Sequence, residues 1–161
     1  MSVTSAPSST LPLAVAVVVQ RSDGAVLIVR RAPALALGGY WTPVTGRVEP
    51  GESLEAAAHR ELREETGLTA QLGPELTRGP TSNGLFELVY LRAYAPYPLP
   101  PLVLQPSEIT DARWVHAADL NGLNGPTGID GLNAPNDPTG LAAIAPMLET
   151  TRRILLDAVA R

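Results

Sequence analysis

The sequence predicts an α+β fold, a mixed β-sheet sandwiched by helices, and three observations carry that expectation. Strand-like apolar runs fill most of the first two-thirds of the chain. One amphipathic helical stretch interrupts them, and a second closes the chain.

Taken in order, MSVTSAPSST (residues 1–10) reads as a polar, disordered tail, and residues 11–161 as a single domain. The run LPLAVAVVV (Leu11–Val19) has no basic residue before it and no small-residue cleavage site after it. It is far short of the ~20 apolar residues of a membrane span, so it is expected to be a buried strand. Leu13–Gln20, an Asp23-Gly24 turn and AVLIVRR (Ala25–Arg31) form an expected β-hairpin. APALALGG reads as a loop whose end, YWTPV, leads to Gly46. Pro50-Gly51 makes a turn, Ser53 suits a helix N-cap, and the helix runs to Thr66, where Gly67 stops it.

Beyond the helix, a short strand near Leu68–Leu72, a Gly/Pro turn and a longer strand over Leu85–Ala95 are expected. PYPLPP (Pro96–Pro101) reads as an extended surface connection, and Ile109–Val115 as a final strand carrying Trp114. Residues 121–140 are rich in Gly, Asn and Pro without periodicity and read as a flexible loop. A terminal helix is expected from Leu141 to Ala160, with Pro146 kinking it or marking its start.

Composition narrows the function. The 161 residues include no Cys, which excludes disulfides, thiol nucleophiles and thiolate metal sites, and suits a reducing, cytoplasmic setting. The net charge is −4, and every basic residue is Arg. With no basic stripe to release counterions, a nucleic-acid polymer is not the expected partner.

The helix of GRVEPGESLEAAAHRELREETGL (Gly46–Leu68) is unusual. At ~100° per residue, measured from Leu54, Glu64, Glu61 and Glu65 fall near 280°, 340° and 20°. Leu54, Ala58 and Leu62 fall near 0°, 40° and 80°, so the acidic arc borders the buried stripe instead of opposing it. Like charges at that spacing repel. Crowded, partly desolvated carboxylates are relieved by a raised pKa or by a cation. A carboxylate cluster without His or Cys suits a hard divalent cation such as Mg²⁺. The bland reading is a Glu-rich helix balanced by Arg60 and Arg63; an Arg60–Glu64 pair would still leave Glu61 and Glu65 uncompensated.

The flanking residues add a resemblance. Gly46, five residues, Glu52, seven residues, Arg60-Glu61-Leu62, one residue, Glu64-Glu65, one residue and Gly67-Leu68 resemble the full signature of the Nudix hydrolases, MutT-like enzymes. The resemblance implies an α/β/α sandwich around a mixed sheet, and Mg²⁺- or Mn²⁺-dependent hydrolysis of a nucleoside diphosphate linked to another group. It implies Glu61, Glu64 and Glu65 as catalytic metal ligands, one of them a base, joined by the Gly46 carbonyl. It implies Glu52 and Arg60 as a structural pair between loop and helix, and Glu108 as a further candidate ligand. Val44-Thr45-Gly46 before the box is similar to nucleoside triphosphate and dihydroneopterin triphosphate pyrophosphatases. The window Asn83–Phe86 lacks the Pro of ADP-ribose hydrolases and the Tyr of diadenosine polyphosphate hydrolases.

Arg30, Arg31 and Arg47 are candidates for substrate phosphate, because Arg presents a planar fork to anionic oxygens. Trp41 is a candidate for stacking on a base, as are Tyr40, Phe86 and Tyr90, although an aromatic in a strand is more often core. The expected partner is a small-molecule nucleotide, with no membrane; a homodimer is left open. The rival reading is a nucleotide-binding regulatory domain without turnover. An isomerase using a catalytic Cys is set aside.

Overall fold

A computed structural model describes residues 10–81, 83–121 and 147–160. Its strands are β1 (Leu13–Gln20), β2 (Val26–Arg31), β3 (Trp41–Thr42), β4 (Val44–Arg47), β5 (Gln71–Pro80), β6 (Glu87–Tyr94) and β7 (Ile109–Val115). Its helices are α1 (Leu54–Thr66), α2 (Ala117–Asn121) and α3 (Glu149–Val159). All seven strands join one mixed sheet. β1 runs parallel to β6 from Leu13↔Glu87 to Gln20↔Tyr94 and antiparallel to β4 from Ala14↔Arg47 to Val17↔Val44.

Period-2 alternation sorts the sheet into two buried faces. Val15, Val17, Val19, Leu27, Val29, Val89 and Leu91 share one core with Ala57, Ala58 and Leu62 of α1. Ala16, Val18, Val26, Ile28 and Tyr90 share the other with Trp41, Leu120 of α2 and Leu155 and Ala158 of α3. Covering both faces explains why β1 and β2 are apolar along almost their whole length. The architecture is the α/β/α sandwich expected from the sequence.

The α1 limits match their signals. Ser53 Oγ accepts a hydrogen bond from the Ala56 amide at 3.0 Å, and Gly67 caps the other end at φ 74°. Several other expectations are corrected. The expected hairpin is real only at its first rung, Gln20↔Val26, because β1 then turns to β4 and β2 to β3 and β7. The YWTPV stretch, read as the end of a loop, supplies β3 and leads into β4. The Gly73-Pro74 turn is instead an irregularity inside edge strand β5, whose register with β6 shifts between Leu72 and Glu75. A Pro is tolerated at such a place. The true turn lies at 81–86, where the Gly84 amide donates to the Thr81 carbonyl at 2.8 Å.

The Pro-rich connection is more than surface: Leu99, Leu102 and Leu104 pack against the α1-side core. Asn121, expected in a loop, ends α2. The remaining N-terminal stretch 1–9, the expected loop over 122–140 and the expected helix start at 141–146 lie outside the described residues, as does Pro146. No described helix is long and apolar enough to cross a membrane.

Candidate active site

Three carboxylates converge where α1 meets the segment before β7. One oxygen from each of Glu61, Glu65 and Glu108 lies within 4.8 Å of the others. Glu61 is 8% and Glu65 2% exposed. Local backbone bonds deliver the third member: the Ala32 amide donates to the Glu108 carbonyl at 2.8 Å, and the Gln105 amide donates to the Glu65 carbonyl at 3.2 Å. Glu108 is thereby stitched to β2 and the connection to the last turn of α1.

The acidic arc is not the border of the buried stripe. The buried residues of α1 are Ala57, Ala58, Glu61, Leu62, Glu65 and Thr66, which places Glu61 and Glu65 at the centre of that face. Thr66 is fully buried as well, and its hydroxyl donates to the Leu62 carbonyl at 2.6 Å. Glu64 is not in the cluster. Its side chain is 51% exposed and meets Arg60 at 3.4 Å.

Arg60 is the organising cation. Its Nε and Nη2 donate to Glu52 at 2.8 and 2.9 Å, Nη1 donates to Glu61 at 2.7 Å, and Nη2 also donates to the Arg47 carbonyl at 2.9 Å. Glu61 is therefore compensated, contrary to the expectation from spacing alone. Hydrogen bonding to Arg60 holds the Glu52 carboxyl down at about 2. Burial raises Glu61 above the usual carboxylate range, with Arg60 opposing it. Glu65 lacks such help: burial first, then the charge of Glu61 and contact with Glu108, push its carboxyl up to about 9. Glu65 Oε2 is buried with no hydrogen-bond partner.

Two features fit a cation. The orphaned Glu65 oxygen needs a partner, and the donor set is all oxygen, as hard divalent cations prefer. Gly46 completes the cradle, since a Cβ there would overlap the Glu61 carboxyl group. The Gly is required for close approach of β4 to α1, not for an unusual φ.

Gly46 also borders a cavity of about 460 Å³ on the sheet face that carries α3. Arg31 and Arg47 line it and are the charged residues on its described wall. Arg31 is half-buried; its Nε donates to the Ala36 carbonyl at 2.7 Å and its Nη1 to Thr45 Oγ1 at 2.8 Å. The Arg47 guanidinium lies 4.9 Å from the centre of the Phe86 ring. Arg30 is exposed, donates to the Gly39 carbonyl at 3.2 Å and does not line the cavity. Trp41 is fully buried in the α3-side core, which leaves its ring no face on which a base could stack. Phe86 and Tyr90, weighed as core from sequence, are the aromatics on the described cavity wall. The pairing of β4 and β6 onto β1, which brings Arg47 beside Leu88 across Ala14, was not legible because no local turn joins either strand to β1.

A model of the NUDIX domain matches residues 10–132. The NAD-capped RNA hydrolase NudC of Stutzerimonas stutzeri (strain A1501) is 38% identical over 107 residues, 66% of this chain and 37% of that protein. The chain thus spans little more than a third of that relative. A MutT protein from Methanosarcina mazei Go1 shares the fold with a TM-score of 0.66 at 20% identity, covering 96% of this chain and 97% of the other. The C. elegans Ap4A hydrolase, in a binary complex, gives 0.63 at 19% identity, with 91% and 96% covered.

Proposed function

The chain belongs to the Nudix hydrolase family, and from that premise we propose that it hydrolyses the pyrophosphate bond of a nucleoside diphosphate linked to another group. The observation that carries the reading is the Glu61–Glu65–Glu108 cluster, its first two members buried, with Gly46 pressed against Glu61. A non-catalytic nucleotide-binding domain would have no need to keep an orphaned carboxylate oxygen buried at such a cost.

Mg²⁺ or Mn²⁺ held by these carboxylates would neutralise charge on the phosphoryl oxygens and favour ionisation of water. The chain's own residues do the rest. Glu65 and Glu108 offer oxygen donors, and Glu61 is a further donor or the base that takes the proton of the attacking water. Arg60 keeps the Glu52 loop, the Arg47 carbonyl and Glu61 in one fixed arrangement, so the donors need little reorganisation. Arg31 is held by two of its nitrogens, and its remaining Nη2 is available to a phosphate oxygen. Glu64, beside Arg60 at the rim, is an outer member of the site.

For the substrate, similarity to a protein named as an NAD-capped RNA hydrolase favours a dinucleotide-type diphosphate, while Val44-Thr45-Gly46 resembles triphosphate pyrophosphatases. In a capped RNA the reacting end is itself a small dinucleotide, so the acidic character of this chain opposes only extended contacts to the polymer. A panel of nucleoside triphosphates, ADP-ribose, NAD, dinucleoside polyphosphates and a capped RNA, with Mg²⁺ or Mn²⁺ and products identified by mass, tests the proposal. Cleavage within a diphosphate, lost on chelation, is the expected outcome; binding without cleavage of any member would overturn it.

A further inference from the structure

Glu108 reaches the carboxylate cluster from far along the sequence, and the backbone on both sides of it is tied down. α1 ends at Thr66, and the last carbonyls of a helix have no partner within it. The connection takes up two of them. The Val103 amide donates to the Thr66 carbonyl at 2.9 Å, and the Gln105 amide donates to the Glu65 carbonyl at 3.2 Å. Val103 lies this close because Gly67 has no side chain; a Cβ there would stand 3.2 Å from Val103 Cβ. Leu102 and Leu104, half-buried against the α1-side core, hold the same stretch through their side chains.

Gln105 then opens a tight turn. Its carbonyl accepts from the Glu108 amide at 3.0 Å and from the Ile109 amide at 2.8 Å. Pro106 takes the second position of that turn, where a ring that fixes φ at ~−65° is favoured and no amide donor is needed. On the other side of Glu108, Ile109 is 2% exposed and belongs to the α1-side core. A register shift seats it there: Arg30 pairs with Asp111 and Arg31 with Ile109, so Thr110 is the extra residue of a bulge. Side chains close the ring, since a Glu65 and a Glu108 carboxylate oxygen lie within 4.8 Å of each other. Carboxylates that close repel, so the backbone imposes their approach.

We infer that Leu104, Gln105 and Pro106 are positioning residues of the cation site, which act by fixing Glu108 against Glu65. Leu104 anchors the connection in the core, the Gln105 backbone joins α1 to the turn, and Pro106 stiffens the turn. Donors held in place beforehand need little ordering when a cation binds, and loss of such outer contacts typically costs about 10–100-fold in metal affinity. The inference rests on the proposed reading only in taking the cluster as a cation site.

The test is calorimetric Mn²⁺ binding to the whole chain at constant pH, with amide hydrogen exchange followed by NMR in EDTA. The variants are Leu104→Ala and Pro106→Gly, each made with Glu108 and with Glu108→Gln. Pro106 is exposed, so its replacement leaves the core intact and decides the matter if Leu104→Ala does not fold. At least one variant should bind Mn²⁺ about tenfold more weakly than wild type. The same change should cost less than about twofold when Glu108→Gln is already present, because a residue acting through Glu108 has nothing left to position. In EDTA the Ala32 amide, which donates to the Glu108 carbonyl, should exchange about tenfold faster in that variant. Both variants binding Mn²⁺ within about twofold of wild type, or losing as much affinity without Glu108 as with it, would overturn the inference. Weaker binding with unchanged Ala32 exchange would overturn it too. Mn²⁺-dependent hydrolysis by the wild type alongside any of these results would leave the proposed activity standing. A wild type that binds no Mn²⁺ would also overturn the inference, and if it hydrolyses no substrate the proposed activity falls with it.

Discussion

Glu65 concentrates the conflict between fold and function in one side chain. Its carboxyl is pushed up to about 9, against about 4.3 for an ordinary glutamate. Between those values the folded chain holds a proton that the unfolded chain has lost. The resulting stability is fully present below about pH 4.3 and is lost as pH rises towards 9. Without divalent metal, the melting temperature should therefore fall more between pH 6 and pH 8.5 in the wild type than in Glu65→Gln, which cannot ionise; equal falls would show that the carboxyl is not held protonated. With Mg²⁺ present, Glu65→Gln should reduce turnover on the order of 100-fold or more, and Glu64→Gln less, because only Glu65 is part of the converged cluster. Steady-state rates for the two variants decide the order. Glu61 and Glu65 were legible from spacing on a helix. Their central place on the buried face was not, because a ~100° rotation says which residues share a side but not which side the sheet covers. Glu108 could be reached only through resemblance, since nothing local in Ser107-Glu108-Ile109 distinguishes it from an exposed loop residue.

At the scale of elements, α1 is the best-determined part of the chain, because its cap residues act through local backbone chemistry. The Ser53 cap is worth about 1 kcal/mol, so Ser53→Ala should lower unfolding free energy by roughly that amount in a urea titration. Gly67→Ala should cost about 1–2 kcal/mol, since φ is 74° and the new Cβ would lie 3.2 Å from Val103 Cβ. A Gly67→Ala variant as stable as wild type would mean that the helix ends by another route. The edge strand β5 shows the opposite case. Gly73-Pro74 carries the composition of a turn, but β6 supplies partners on both sides of it, and long-range pairing converts the expected break into a shifted register. Short β3 and β4 were unreadable for a related reason: Pro43 divides two segments whose strand character comes wholly from pairing with β2 and β1.

For the whole molecule, the sheet is a partition. α1 and the carboxylate cluster lie on one side, the cavity and α3 on the other, and Gly46 touches both. Alternation along β1 turns Val15 to the first side and Ala14 to the second, so the two faces can be altered separately. Binding to the folded state raises its stability by mass action, about 2.7 kcal/mol at 100 times the dissociation constant. At pH 8, Mg²⁺ should then raise the melting temperature of wild type and Ala14→Leu alike, and raise that of Glu65→Gln little. Loss of Mg²⁺ protection in a folded Ala14→Leu chain would instead mean that β1 transmits packing changes through Gly46 to Glu61. The partition would then be a single coupled site, with the glycine as the joint between its halves.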